Sequence, residues 1–183
     1  MTSNRLKLFL LTTVSFVLLL TVVACGDSHK TILKVEGHYN YQHGWNYDIE
    51  EGHIDVRETG TMDFFDDSTA LDSAQQVYVL TLNDGNHITW TFNYISPSYW
   101  HVDGKDFYFA GISESFRMEP IESSTEDSNE ELATVLAEKI IKSVSSGIDR
   151  EIKFHMDTLT PQELVWSYTY PDGHTDTWEF YRQ

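Results

Sequence analysis

The 183-residue chain has one cysteine, four prolines, and 12 lysines and arginines against 29 aspartates and glutamates. A single thiol leaves no internal disulfide and no Cys-x-x-Cys pair, so the fold has to rest on packing. A formal charge of −17 excludes a nucleic-acid partner, because a phosphate-binding surface needs clustered Lys and Arg. Signature motifs of catalysis are missing too. Gly111-Ile112-Ser113-Glu114-Ser115 lacks the final glycine of a nucleophile elbow. There is no His-Glu-x-x-His and no phosphate-cradling glycine loop. The expectation is a non-enzymatic protein with no catalytic residue, cofactor or metal. A carboxylate-based hydrolase is the remaining enzymatic alternative, since 29 acids always produce close pairs, but no two stand out. His38 and His87 fall on polar strand faces and read as ordinary exposed histidines. Asp103-Gly104-Lys105-Asp106 reads as a turn, its lysine being out of place in a calcium loop.

What is present begins with an export signal. Arg5 and Lys7 precede the apolar run Leu8 to Val23, followed by Ala24, Cys25 and the polar Gly26-Asp27-Ser28. This is the three-part order of a secretory leader. The run is short for a membrane span and is interrupted by Thr12, Thr13, Ser15 and Thr21. Val22-Val23-Ala24-Cys25 resembles the lipobox of bacterial lipoproteins. The resemblance implies a diacylglycerol on the Cys25 sulfur, cleavage before Cys25 and acylation of the freed amine, palmitate included. Residues 1–24 are then a signal peptide and 25–30 a lipidated tether. The protein is held in the cell envelope, at the outer membrane, by chains that each contribute about 0.8 kcal/mol per buried methylene. Its acidic body stands off anionic head groups.

Residues 31–183 read as one domain of antiparallel β-structure. In the run Leu33 to Tyr41, Leu33, Val35, Gly37, Tyr39 and Tyr41 alternate with polar residues. Over Asp55 to Phe65, Val56, Gly60, Met62 and Phe64 oppose Arg57, Thr59, Thr61 and Asp63, and Asp66-Asp67-Ser68 marks a turn. Further strands are predicted at Gln75 to Leu82, His87 to Tyr94, Tyr99 to Val102, Asp106 to Phe109, Ile148 to Met156, Leu164 to Tyr168 and Thr175 to Tyr181. Asp84-Gly85, Asp103-Gly104 and Asp172-Gly173 suit tight hairpin turns with positive φ at both central residues.

One segment is helical. Ser128 and Glu131 form a capping box, Leu132, Val135, Leu136, Ile140 and Val144 recur at helical spacing, and Gly147 supplies the stop. This predicts an amphipathic helix over about 129–146, preceded by a polar loop from Glu119 to Asn129. Eight or nine short strands with one helix predict a mainly β protein, an antiparallel barrel that removes exposed sheet edges.

Gly60 to Ala70 (Gly-Thr-Met-Asp-Phe-Phe-Asp-Asp-Ser-Thr-Ala) resembles a hairpin of bacterial lipocalin-like, calycin-type lipoproteins. Gly37-His38-Tyr39 stands where that family carries Gly-x-Trp, and Leu159 to Trp166 with Trp178 to Arg182 resembles its last strands. The resemblance implies a cup-shaped barrel, often with a pocket for a small apolar molecule. It also implies a clasp in which Arg182 packs across Tyr39, with Tyr replacing the family's Trp.

The aromatic stripe supplies the candidate ligand-lining residues: Tyr39, Tyr41, Phe64, Trp90, Phe92, Tyr94, Phe107, Phe109, Trp166, Tyr168, Trp178 and Phe180. Tyr78 and Tyr108 fall out of phase with their neighbours. Facing inward, the stripe either fills an eight-stranded barrel or lines one small pocket. Two functions follow. One is a membrane-anchored binder of a small apolar or amphipathic ligand. The alternative is a filled barrel that presents its acidic surface to a protein partner in an envelope assembly.

Overall fold

The computed structural model describes residues 35–125 and 129–183. The leader, Cys25, the tether, the start of the predicted first strand and Ser128 of the capping box lie outside the described residues.

Nine antiparallel strands follow in chain order: β1 (Gly37–Ile49), β2 (Gly52–Phe64), β3 (Thr69–Leu82), β4 (His87–Asp103), β5 (Asp106–Gly111), β6 (Arg117–Ser124), β7 (Ile152–Leu159), β8 (Glu163–Thr169) and β9 (Thr175–Arg182). Helix α1 (Glu130–Ser145) lies between β6 and β7. The hydrogen-bonded order is β3-β2-β1-β9-β8-β7-β5-β4-β6, and β3 also pairs with β4. That last pairing closes eight strands into a ring, with β6 added beside β4. The fold is therefore mainly β, a closed antiparallel eight-stranded barrel with one extra strand and one helix.

Alternation fixes which face turns inward. In β2, Ile54, Val56, Glu58, Met62 and Phe64 are buried; in β3, Ala70, Asp72, Ala74, Gln76, Tyr78 and Leu80 are. Tyr78, read from sequence as out of phase, is therefore an inward residue, and Val77 and Val79 take the outer face. Tyr108 does lie outside, stacked on His101 at 4.4 Å.

Several bounds differ from expectation: β1 starts at Gly37 and runs on to Ile49, β3 starts at Thr69, and the strand expected from Ile148 starts at Ile152 and runs to Leu159, residues 146–149 forming turns. Two further differences have backbone reasons. His87 to Tyr94 and Tyr99 to Val102 form one strand, β4, that runs through Pro97. The edge of β4 pairs with β6 as far as Ile95 and with β5 from Ser98. Pro97 sits at this handover, its carbonyl accepting from Ile112 N at 2.8 Å. A strand residue turns its N–H and C=O to the same neighbour, so the donor that proline lacks faces the break and no ladder bond is lost. The second difference is the predicted loop from Glu119. Residues up to Ser124 belong to β6, which satisfies the edge of β4 that short β5 leaves uncovered. Only Met118 of β6 is buried, so side-chain pattern gave no sign of it.

The three hairpins form, with other turn geometry. Gly85, Gly104 and Gly173 take positive φ of 89°, 63° and 91°, and the aspartates before them do not. In two of them a type I turn precedes a left-handed glycine: Gly85 N bonds Leu82 O, and Gly173 N bonds Tyr170 O. Aspartate then avoids the left-handed region, which costs an L-residue more than glycine.

Helix α1 starts at Asn129, which makes no side-chain capping bond, and carries Glu130 and Glu131 in its first turn and Lys142 in its last, matching the dipole. Ala133, Leu136 and Ile140 are its buried residues. Trp90 Nε1 donates to the Ala133 carbonyl at 3.0 Å, and Leu136 and Ile140 line a small pocket together with Tyr47, Ile49 and Ile54. The helix therefore closes the barrel end formed by the far end of β1 and the start of β2 and β4.

The ring is sealed between β1 and β9 by three residue pairs, Tyr39 with Arg182, Asn40 with Tyr181, and Tyr41 with Phe180, with one more backbone bond from Gln183 N to the His38 carbonyl at 3.0 Å. Arg182 Nη2 donates to Tyr39 Oη at 2.6 Å and to the Glu36 carbonyl at 2.5 Å. Its guanidinium lies 5.1 Å from the centre of the Tyr39 ring, and Tyr39 Oη donates onward to the Val35 carbonyl at 2.9 Å. Gly37 makes room: its φ is +149°, and a Cβ there would come within 2.9 Å of Arg182 Nε. Replacing Arg182 with alanine removes both bonds and the ring contact, so Arg182→Ala is expected to lower unfolding free energy by about 1–3 kcal/mol. Urea denaturation checks this, and an unchanged midpoint would contradict it.

Candidate functional site

The barrel centre is packed. Phe64, Phe107, Trp166 and Phe180 are each less than 5 % exposed and touch in a chain of ring contacts. Phe107 lies 4.6 Å from Trp166, and Phe180 lies 4.4 Å from it. Of the twelve candidate lining residues, Tyr39, Tyr41, Phe64, Trp90, Phe92, Tyr94, Phe107, Trp166 and Phe180 are buried, and Phe109, Tyr168 and Trp178 are half-buried. Trp100 and Phe154 complete the cluster. Most polar tips find protein partners: Trp100 Nε1 reaches the Thr69 carbonyl at 2.8 Å, while Trp166 Nε1 has none.

The openings lie in the wall. Beyond Tyr41 and Phe180 the two strands part: β1 continues to Ile49 paired with β2 alone, and β9 from Glu179 back to Thr175 pairs with β8 alone. On the outer side of the parting is a cleft of ≈ 750 Å³ whose lining includes Gln42, His43, Arg57, Thr177, Glu179 and Tyr181, with Tyr41 at its floor. Beside it, past Gly44, is a recess of ≈ 510 Å³ between Trp45 and Tyr47 of β1 and the β8–β9 hairpin. Both volumes are in the range of small-molecule sites. His43 is sandwiched at the junction, its ring 4.5 Å from Trp178 and 5.5 Å from Trp45. Burial pushes its pKa below the usual histidine value, against the opposing pull of Glu58 and Asp176.

Behind Tyr41 lies a polar cluster with no counterpart in the sequence reading. Glu58 and Asp72 are 7 % and 8 % exposed and share two phenols. Tyr41 Oη is 2.5 Å from Glu58 Oε1 and 2.8 Å from Asp72 Oδ1. Tyr94 Oη is 2.8 Å from the same Glu58 oxygen and 2.6 Å from Asp72 Oδ2. The two phenol oxygens are 3.0 Å apart. Gln76 Nε2 donates to Glu58 Oε2 at 2.8 Å, and Tyr78 Oη donates to Gln76 Oε1 at 2.9 Å.

Counting hydrogens decides the charge state. Each phenol carries one hydrogen, so two hydrogens serve five close oxygen pairs. With both carboxyls ionised, three of those contacts would set lone pair against lone pair. One proton on the pair supplies a third hydrogen. Burial first, then the charge of Glu58, push the Asp72 carboxyl up to about 7, so the pair holds this proton well above the usual carboxylate range. Burial above all, and then the acidic Asp72–Glu58 pair, raise both phenols above their ordinary range, so they stay donors.

The signal that could have found this cluster was phase. Glu58 falls on the face of Val56 and Met62, and Asp72 on the face of Ala70 and Ala74. An acid in step with an apolar face either has a partner inside or breaks the strand. His38 and His87 have separate partners: His38 Nδ1 meets Asp63, and His87 Nδ1 lies 3.2 Å from Thr81 Oγ1. No cluster of three or more metal-ligating His, Cys, Asp or Glu side chains occurs among the described residues. Neither a protein-family model nor a curated protein sequence matches the chain.

The shared proton has a thermodynamic consequence. The folded Asp72 holds its proton to higher pH than the unfolded carboxyl, whose value is 3.8. Its contribution to stability is therefore complete below about pH 4 and is lost as pH rises through 7. Asp72→Asn supplies the third hydrogen from an uncharged amide. The wild type is expected to lose about 2–4 kcal/mol relative to this variant between pH 5 and pH 8. Denaturant titrations at both values check this, and parallel profiles would contradict it.

Proposed function

We propose that the protein is a lipid-anchored lipoprotein of the bacterial cell envelope whose lipocalin-like barrel binds a small amphipathic molecule without catalysing its conversion. The lipobox at Cys25 supports the anchor, and the closed eight-stranded ring with the Arg182–Tyr39 contact supports kinship with that fold class. The observation that carries the binding reading is the parting of β1 and β9, which opens ≈ 750 Å³ of cleft beside a packed centre. In this reading the ligand sits in the wall and the aromatic centre is the scaffold that holds the wall rigid. The lining suits a molecule with both an apolar part and a polar part: His43 and Tyr181 offer ring faces, while Gln42, Arg57, Thr177 and Glu179 offer hydrogen bonds and charge. The packed centre also suits the second reading, a filled barrel whose acidic exterior docks on a protein partner.

The two are separated by expressing the full chain with its own leader in a bacterial envelope. Wild type is expected in the detergent-soluble membrane fraction and Cys25→Ser in the aqueous fraction; equal partitioning would remove the anchor. Native mass spectrometry of the acylated protein is expected to show a co-purifying small molecule. Gly44 lines both openings, and a Cβ there would make an ordinary contact with the Val56 carbonyl at 3.4 Å, so Gly44→Trp is expected to displace the molecule while keeping the fold. Retention of the same mass in this variant would place the ligand elsewhere. No adduct, with a protein captured instead, would favour the second reading.

A further inference from the structure

The recess between the β8–β9 hairpin and the half of β1 that pairs with β2 alone has a chemistry of its own. Its lining includes the aromatic side chains of Trp45, Tyr47 and Tyr170, with Asp172, His174 and Asp176 among them, and no lysine or arginine. Tyr47 and Tyr170 are 38 % and 39 % exposed, large aromatic surfaces left open to solvent on facing elements. Asp176 is held in place: Tyr170 Oη donates to its Oδ2 at 3.0 Å and His174 Nε2 lies 3.0 Å from its Oδ1. The His174 ring stacks on Tyr170 at 5.8 Å, so the carboxylate and the ring face beside it form one fixed unit. Asp172 accepts from His174 N at 2.9 Å, which sets the hairpin tip.

From this geometry we infer that the recess is a binding site for a small organic cation of the quaternary ammonium type. The inference rests on the binding reading above and names the class of its ligand. A ring face attracts a cation through its quadrupole, by about 0.5–2 kcal/mol for each well-placed ring. Carboxylates beside the rings add a field of the same sense, and the rest of this acidic chain reinforces it. An anion would be repelled by Asp172 and Asp176, and a neutral apolar guest would gain the ring contacts without the field. Asp176 already accepts from Tyr170 and lies against His174, so part of its hydrogen-bonding capacity is spent within the site while its charge is kept. A quaternary ammonium asks for no hydrogen bond and is weakly hydrated, so it suits a site that offers charge and ring faces.

The test titrates the full-chain protein, held in a non-ionic detergent, with choline, with its neutral isostere 3,3-dimethylbutan-1-ol and with the anionic 3,3-dimethylbutanoate. Calorimetry is the readout, together with tryptophan emission, since Trp45 lines the recess and Trp178 adjoins it through His43. Choline is expected to bind saturably and at least ten-fold more tightly than the alcohol, more weakly as salt rises, while the carboxylate does not bind. Asp172→Asn combined with Asp176→Asn is expected to bring choline to the level of the alcohol, and Tyr170→Leu to weaken it several-fold. Should the double variant fail to fold, Asp172→Asn alone, at an exposed turn, and the salt dependence of the wild type carry the same comparison. Equal affinity for choline and the alcohol would overturn the cation assignment and leave a small-molecule site standing. Binding of none of the three would overturn it as well, and the co-purifying mass would then decide the broader reading separately.

Discussion

The structure depends on a seam of three residue pairs, Tyr39–Tyr41 against Phe180–Arg182. An antiparallel sheet of nine strands left open would expose two edges of unpaired peptide groups, and closing the ring removes them. The seam does so with little backbone pairing, so side chains reinforce it. Arg182 ties Tyr39 to the Glu36 carbonyl, and Gly37 leaves the space for its guanidinium. Because the seam is short, the wall parts beyond it, and the cleft and recess are consequences of where pairing stops. Closure and opening are thus the same feature seen from its two ends.

Inside the ring, polar and apolar packing divide the volume. The rings of Phe64, Phe107, Trp166 and Phe180 fill the part nearest the seam, where burial of aromatic area is the main stabilising term. Farther along β2, β3 and β4, the space is taken by Glu58, Asp72, Gln76, Tyr41 and Tyr94. Two carboxyls there would cost more than their hydrogen bonds return if both were charged. One retained proton converts the pair into a nearly closed hydrogen-bond network. Tyr41 belongs both to this network and to the cleft floor, so the packed interior sets the position of the surface that a ligand meets.

Fold class, helix and hairpin positions were legible in the sequence because each rests on local pattern: two-residue alternation, helical spacing and Asp-Gly punctuation. Helix α1 lies within one residue of its predicted ends. What escaped was set by distant backbone needs. Nothing in Glu119–Ser124 announces β6, which exists because β5 is too short for the edge of β4. The run through Pro97 reads as a break until the change of neighbour at that residue is known. The buried pair escaped because acids on a strand are read as outward, although Glu58 and Asp72 stood in step with apolar neighbours. The cleft was out of reach from sequence, since no periodicity says where β1 loses β9.

Hydrogen exchange along β1 measures the length of the seam directly. Gln183 N donates to the His38 carbonyl, so even-numbered residues of β1 turn their peptide groups toward β9. The Asn40 amide, inside the seam, should exchange only on global opening. The Gly44 and Asn46 amides, past the parting of the strands, should exchange orders of magnitude faster, while the odd-numbered amides bonded to β2 stay protected throughout. Uniform protection of Asn40, Gly44 and Asn46 would mean that β1 and β9 stay zipped to their ends and that the wall has no opening.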